Sequence, residues 1–183
     1  LLPYELNFMQ NPNANAETLE AVEKIKTGDY QFTKAAKNLW KVGETITISF
    51  VGGSASQIES AKKYIMQDLQ PHVSMKFQFV ASGGRIVVKY ETIPGAPPGQ
   101  TILGQSFVGK TGGGSQPVQF LPSAFVDSGT FNMARFLINH EFGHAMGLYH
   151  EFDVCKANMT CSGPDPTSTM NYPQKDNRTM DHY

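Results

Sequence analysis

The chain has 183 residues, enough for one domain with a sizeable core, and its 40% apolar content is ordinary for a globular protein. A net charge of -1 creates no long-range field toward nucleic acid or an anionic membrane, so no nucleic-acid partner is expected. No apolar run approaches the roughly 18 residues needed to span a bilayer.

The chain begins Leu1-Leu2-Pro3 without a methionine, and the expectation is a processed or trimmed chain whose signal peptide is gone. Asn7 to Asn15 is Asn-rich and reads as irregular surface chain. Leu19, Val22 and Ile25 stand at helical spacing, and Gly28 would end that short helix. A more regular domain begins near Trp40. Thr45 to Val51 alternates β-branched and aromatic residues and reads as a strand, broken by Gly52-Gly53. Ser56-x-x-Glu59 reads as a capping box opening a helix with a buried stripe of Ile58, Ala61, Ile65 and Leu69, stopped by Pro71. Met75 to Val80 and Arg85 to Tyr90 read as strands. Thr101 to Val108 and Val118 to Leu121 are shorter candidates, separated by Gly112-Gly113-Gly114.

Phe131 to Met146 is the strongest helix, apolar on nearly all sides and therefore buried. This order of elements predicts an α+β fold, one mixed twisted sheet with two helices packed on it.

Within that buried helix, His140 and His144 lie four residues apart, on one face, so both imidazoles can address a single ion. Glu141, next to the first, can reach a water on that ion. Gly147 can take the left-handed conformation that ends a helix and turns the chain, letting His150 swing back as a third ligand. Three protein ligands with an open position is the pattern of one catalytic Zn2+. The competing reading of a buried histidine is a packed side chain satisfied by hydrogen bonds. Three of the five histidines within eleven residues, in an apolar helix, weigh against it.

The segment His140 to His150, H-E-F-G-H-A-M-G-L-Y-H, resembles the metzincin clan of zinc endopeptidases. Ser168-Thr169-Met170-Asn171-Tyr172 is similar to the clan's methionine turn, which makes Met170 the hydrophobic floor beneath the metal. Within the clan the chain looks most like the astacin family. Glu151 directly follows the third histidine, as in that family, and Tyr172 matches its switch tyrosine, which ligates zinc at rest and swings to stabilise the transition state. Gly104-Gln105-Ser106-Phe107-Val108-Gly109, with Gly113-Gly114-Ser115-Gln116, resembles the strand at the upper rim of the astacin cleft. The likeness implies a mostly parallel sheet and a monomeric, secreted or extracellular enzyme acting on protein or peptide. Its substrate would lie along the Leu103–Val108 edge at Gly104, Gln105, Ser106 and Phe107.

There are departures. The stretch from His150 to Met170 is shorter than in astacins, Asn171 replaces the usual histidine, and the framework disulfides are absent. Cys155 and Cys161 are compatible with one local disulfide or with two free thiols. Lys26-Thr27-Gly28-Asp29-Tyr30 resembles the end of an astacin pro-segment, with Lys26 in place of a phenylalanine. It implies an inhibitory segment over residues 1–38, with Asp29 on the zinc, and a catalytic domain over 39–183. The alternative for Asp29 is a solvated turn aspartate. The competing function is a non-catalytic binding protein on the same scaffold.

Overall fold

The computed structural model describes residues 39–127, 132–148, 150 and 170. Strand β1 (Thr45–Val51) buries Ile46 and Ile48 completely, as its alternation predicts. Helix α1 (Ala55–Tyr64) opens on Ser54 rather than Ser56. The Gln57 N–H donates to Ser54 Oγ at 3.2 Å and the Ser54 N–H to Gln57 Oε1 at 2.9 Å. The capping box is therefore Ser54-x-x-Gln57, and the expected Ser56–Glu59 box is corrected. The physical reason is that Gly52-Gly53 ends the strand at once, so Ser54 is the first residue placed to turn the chain. Glu59 instead pairs with Lys62 on the exposed face.

The helical path does not run on unchanged to Pro71. It widens into a π-type turn, Ile65–Leu69, and tightens into a 3-10 turn, Gln70–His72. The widened turn carries Asp68, whose carboxylate receives Arg135 Nε at 2.7 Å, Arg135 Nη2 at 3.0 Å and Asn139 Nδ2 at 3.2 Å.

The remaining strands are β2 (Lys76–Phe79), β3 (Ile86–Tyr90), β4 (Gly104–Ser106) and β5 (Gln116–Phe120). They form one five-stranded sheet in the order β2-β1-β3-β5-β4. All neighbours are parallel except β4, which runs antiparallel to β5. Parallel pairing needs crossovers, and α1 supplies the one from β1 to β2. The fold is thus a mixed, mostly parallel sheet carrying two helices, as expected. Among the described residues, no helix is long and apolar enough to cross a membrane.

Helix α2 (Met133–Ala145) starts on Asn132, whose side-chain oxygen accepts the Arg135 N–H at 2.8 Å. Eleven of its thirteen residues are buried, which is why its sequence is apolar all round. Phe142 meets Phe77 of β2 edge to face, with ring centroids 6.3 Å apart. Asp127 ties the two helices together by accepting from Ser60, Tyr64 and Asn132. The C-terminal carbonyls of α2, orphaned within the helix, are met from outside. Trp40 Nε1 donates to Ala145 O and the Gly109 N–H to His144 O, each at 2.8 Å.

The Trp40 bond is buried, so Trp40→Phe should leave a carbonyl without a donor. A loss of about 1–3 kcal/mol of unfolding free energy is expected, measured by urea denaturation. An unchanged midpoint would mean that the indole nitrogen contributes nothing there.

Candidate metal centre

The helical repeat brings His140 and His144 to one face of α2, with their Nε2 atoms 3.2 Å apart. The chain then reverses. Gly147 has φ 107°, in the left-handed region, and its N–H donates to His144 O at 2.8 Å. The Leu148 N–H donates to Gly143 O at 2.9 Å. This pair of bonds is the glycine-terminated C-cap in which two turn N–H groups satisfy two helix carbonyls. The reversal places His150 with its Nε2 3.1 Å from that of His140 and 3.1 Å from that of His144. All three rings are buried, and they form a group able to hold a metal ion.

The same turn fixes a tautomer. His144 Nδ1 lies 2.8 Å from Leu148 O, and a carbonyl can only accept, so Nδ1 carries the hydrogen. The Nε2 lone pair of His144 therefore faces the other two imidazoles, which is the arrangement a metal ligand needs. The spacing also fits. Ligands placed tetrahedrally at about 2.0–2.1 Å from one zinc stand about 3.3 Å from each other, close to the observed 3.1–3.2 Å.

Burial pushes the pKa of His144 well below its ordinary value, and the neighbouring His150 and His140 push the same way. His150 is lowered likewise, first by burial and then by His140. Neutral imidazoles are the ligating form. Burial alone pushes Glu141 up to about 8. A divalent cation beside it opposes that rise and favours the carboxylate.

Two other expected site features fall among the described residues. Met170 is buried, and a Cβ on Gly143 would lie 2.5 Å from its sulfur, so the methionine packs directly against α2 at Gly143, next to His144. Gly104, Gln105 and Ser106 form β4 at the edge of the sheet, and Phe107 lies just past its end. Gly104 packs against the Glu141 side chain, so this edge borders the histidine cluster. Asp29, Glu151, Tyr172, Cys155 and Cys161 lie outside the described residues. Sequence reasoning did not find the Trp40 and Gly109 anchors or the Leu148 carbonyl. Gly104 carried a readable signal, since a glycine inside a strand often marks a close approach.

The lowered pKa values give a sign to the acid response of the chelator-treated protein. Folded His144 and His150 bind fewer protons than the unfolded chain, whose histidines titrate near 6.5. Their contribution to stability is therefore full above that pH and falls as pH drops below it, while the Glu141 carboxyl, raised to about 8, works in the opposite direction. In a Glu141→Gln variant, which removes that opposing group, the melting temperature in chelator should decline from pH 7.5 to pH 5, and calorimetry at several pH values measures this. A flat profile would contradict burial of neutral imidazoles.

No protein-family model matches the chain, and no curated protein matches it. Solved structures do. Myroilysin superposes with a TM-score of 0.54 at 20% identity, covering 75% of this chain and 81% of that one. A second myroilysin crystal structure gives 0.54 at 19%, covering 82% of each. A hatching enzyme zinc-protease of the medaka fish Oryzias latipes, high choriolytic enzyme 1, gives 0.50 at 18%, covering 73% and 72%. At these identities the likeness concerns the fold, which the described domain shares with these proteins.

Proposed function

We propose that this chain is a zinc-dependent endopeptidase with His140, His144 and His150 as metal ligands and Glu141 as general base. The observation that carries the reading is the convergence of three buried Nε2 atoms at 3.1–3.2 Å, with the His144 lone pair turned inward. The fold shared with a fish hatching zinc-protease supports it.

When bound, zinc supplies Lewis acidity, lowering the pKa of its water to about 7 and polarising the substrate carbonyl. Everything else falls to the chain. The imidazoles bind the ion in their neutral form. Glu141 takes the proton from the attacking water and later gives it to the leaving amine nitrogen. The Tyr172 hydroxyl donates to the tetrahedral oxyanion. An extended peptide pairs along β4 by main-chain hydrogen bonds, at Gly104, Gln105 and Ser106 with Phe107 beyond them. Met170 supports the centre from behind. In the secreted precursor, residues 1–38 block this site through Asp29, and the active form is a monomer.

Peptide cleavage, profiled on a protein digest, should vanish with a chelator and return with zinc. Glu141→Ala should keep its zinc and lose about 10²- to 10⁴-fold in turnover; a fully active variant would end the mechanism. Removal of residues 1–38 should raise activity sharply. Equal activity of the long and trimmed chains would dispose of the lock while leaving the enzyme assignment intact.

A further inference from the structure

We propose that Gly104 is a positioning residue for Glu141: the absence of a side chain on the edge strand creates the space that the carboxylate occupies. The proposal rests on the reading of Glu141 as the general base.

A Cβ built on Gly104 would stand 2.6 Å from Glu141 Oε1, 2.9 Å from its Cγ and 3.0 Å from its Cδ. Three atoms of one side chain are thus nearer than ordinary van der Waals contact allows. Gly104 does not have a φ in the left-handed region, so its backbone conformation is open to any residue. The constraint is space alone.

The backbone on both sides is fixed. Gly104 is in register with the fully buried Phe120, and the Leu121 N–H donates to the Leu103 carbonyl at 2.8 Å. Opposite, α2 is buried along its length and held at its end by Trp40 and Gly109. A methyl group at position 104 can therefore be admitted only if the Glu141 carboxylate moves. Glu141 is itself buried, 5% exposed, so the displaced carboxylate cannot simply swing out into solvent. The ligand geometry does not involve position 104. The substitution should consequently separate metal binding from proton transfer. A general base works only within hydrogen-bond reach of its proton, and a displacement near 1 Å costs about 100-fold.

The test compares the zinc-loaded parent with Gly104→Ala, Glu141→Asp and the double variant, each assayed after removal of residues 1–38. Gly112→Ala is the control, because a Cβ there meets nothing within 4 Å. Gly104→Ala should retain the parent's zinc content and its KM, and lose about 10- to 100-fold in kcat. Its crystal structure should show the Glu141 carboxylate displaced, while Gly112→Ala stays at parental activity. Asp lacks one methylene and withdraws from the contact, so the double variant should be no slower than the slower single variant. An unmoved carboxylate in Gly104→Ala, or losses that multiply in the double variant, would overturn the proposal. If Gly104→Ala fails to fold, the same change in a Glu141→Ala background should fold, and failure there too would count against it. A parent that holds zinc but cleaves nothing even after residues 1–38 are removed sinks the peptidase reading. The carboxylate's position in the two crystal structures would still decide the role of Gly104.

Discussion

Everything at the centre depends on one chain reversal. Three imidazoles must present lone pairs to a common point, although two lie on a helix and the third does not. Gly147 makes the reversal possible, and Leu148 makes it specific by using both of its backbone groups. Its N–H closes the helix on Gly143, and its carbonyl orients the ring of His144. One residue with no chemistry of its own thus sets both the path to His150 and the tautomer of a ligand.

The helix that carries this turn lies in an unusual setting for polar residues. His140, Glu141 and His144 are all buried on an element otherwise packed with Phe136, Leu137, Ile138 and Phe142. Desolvation keeps the imidazoles uncharged and raises the carboxyl. Both effects are costs to the folded chain, and both are relieved by a cation at the convergence point. The polar supports sit along one face of the helix and at its two ends. Asp68 and Asp127 hold the face and start of α2, and Trp40 with Gly109 holds its end.

Much of this was legible in the residues. The alternation in Thr45–Val51 and the all-round apolar character of the segment after Phe131 reported burial directly, because periodicity records which faces meet the core. The histidine spacing and Gly147 reported the convergence of the three imidazoles, because that geometry is local. Other features depend on contacts between distant parts of the chain. The rim strand contracted from Thr101–Val108 to Gly104–Ser106, since only that stretch pairs with β5. The helix cap moved to Ser54 because the preceding strand ended where it did. No local pattern pairs Trp40 with Ala145, or Gly104 with Glu141.

The indole of Trp40 joins the beginning of the domain to the last turn of α2, 105 positions away. Leu39 reaches the same place, for a Cβ on Gly147 would meet its methyl group at 2.6 Å. Mechanical load applied at Leu39 would therefore be delivered to the helix end beside the histidines before it reached β1, which begins at Thr45. The domain is strung so that a pull at Leu39 is felt first beside the histidine cluster.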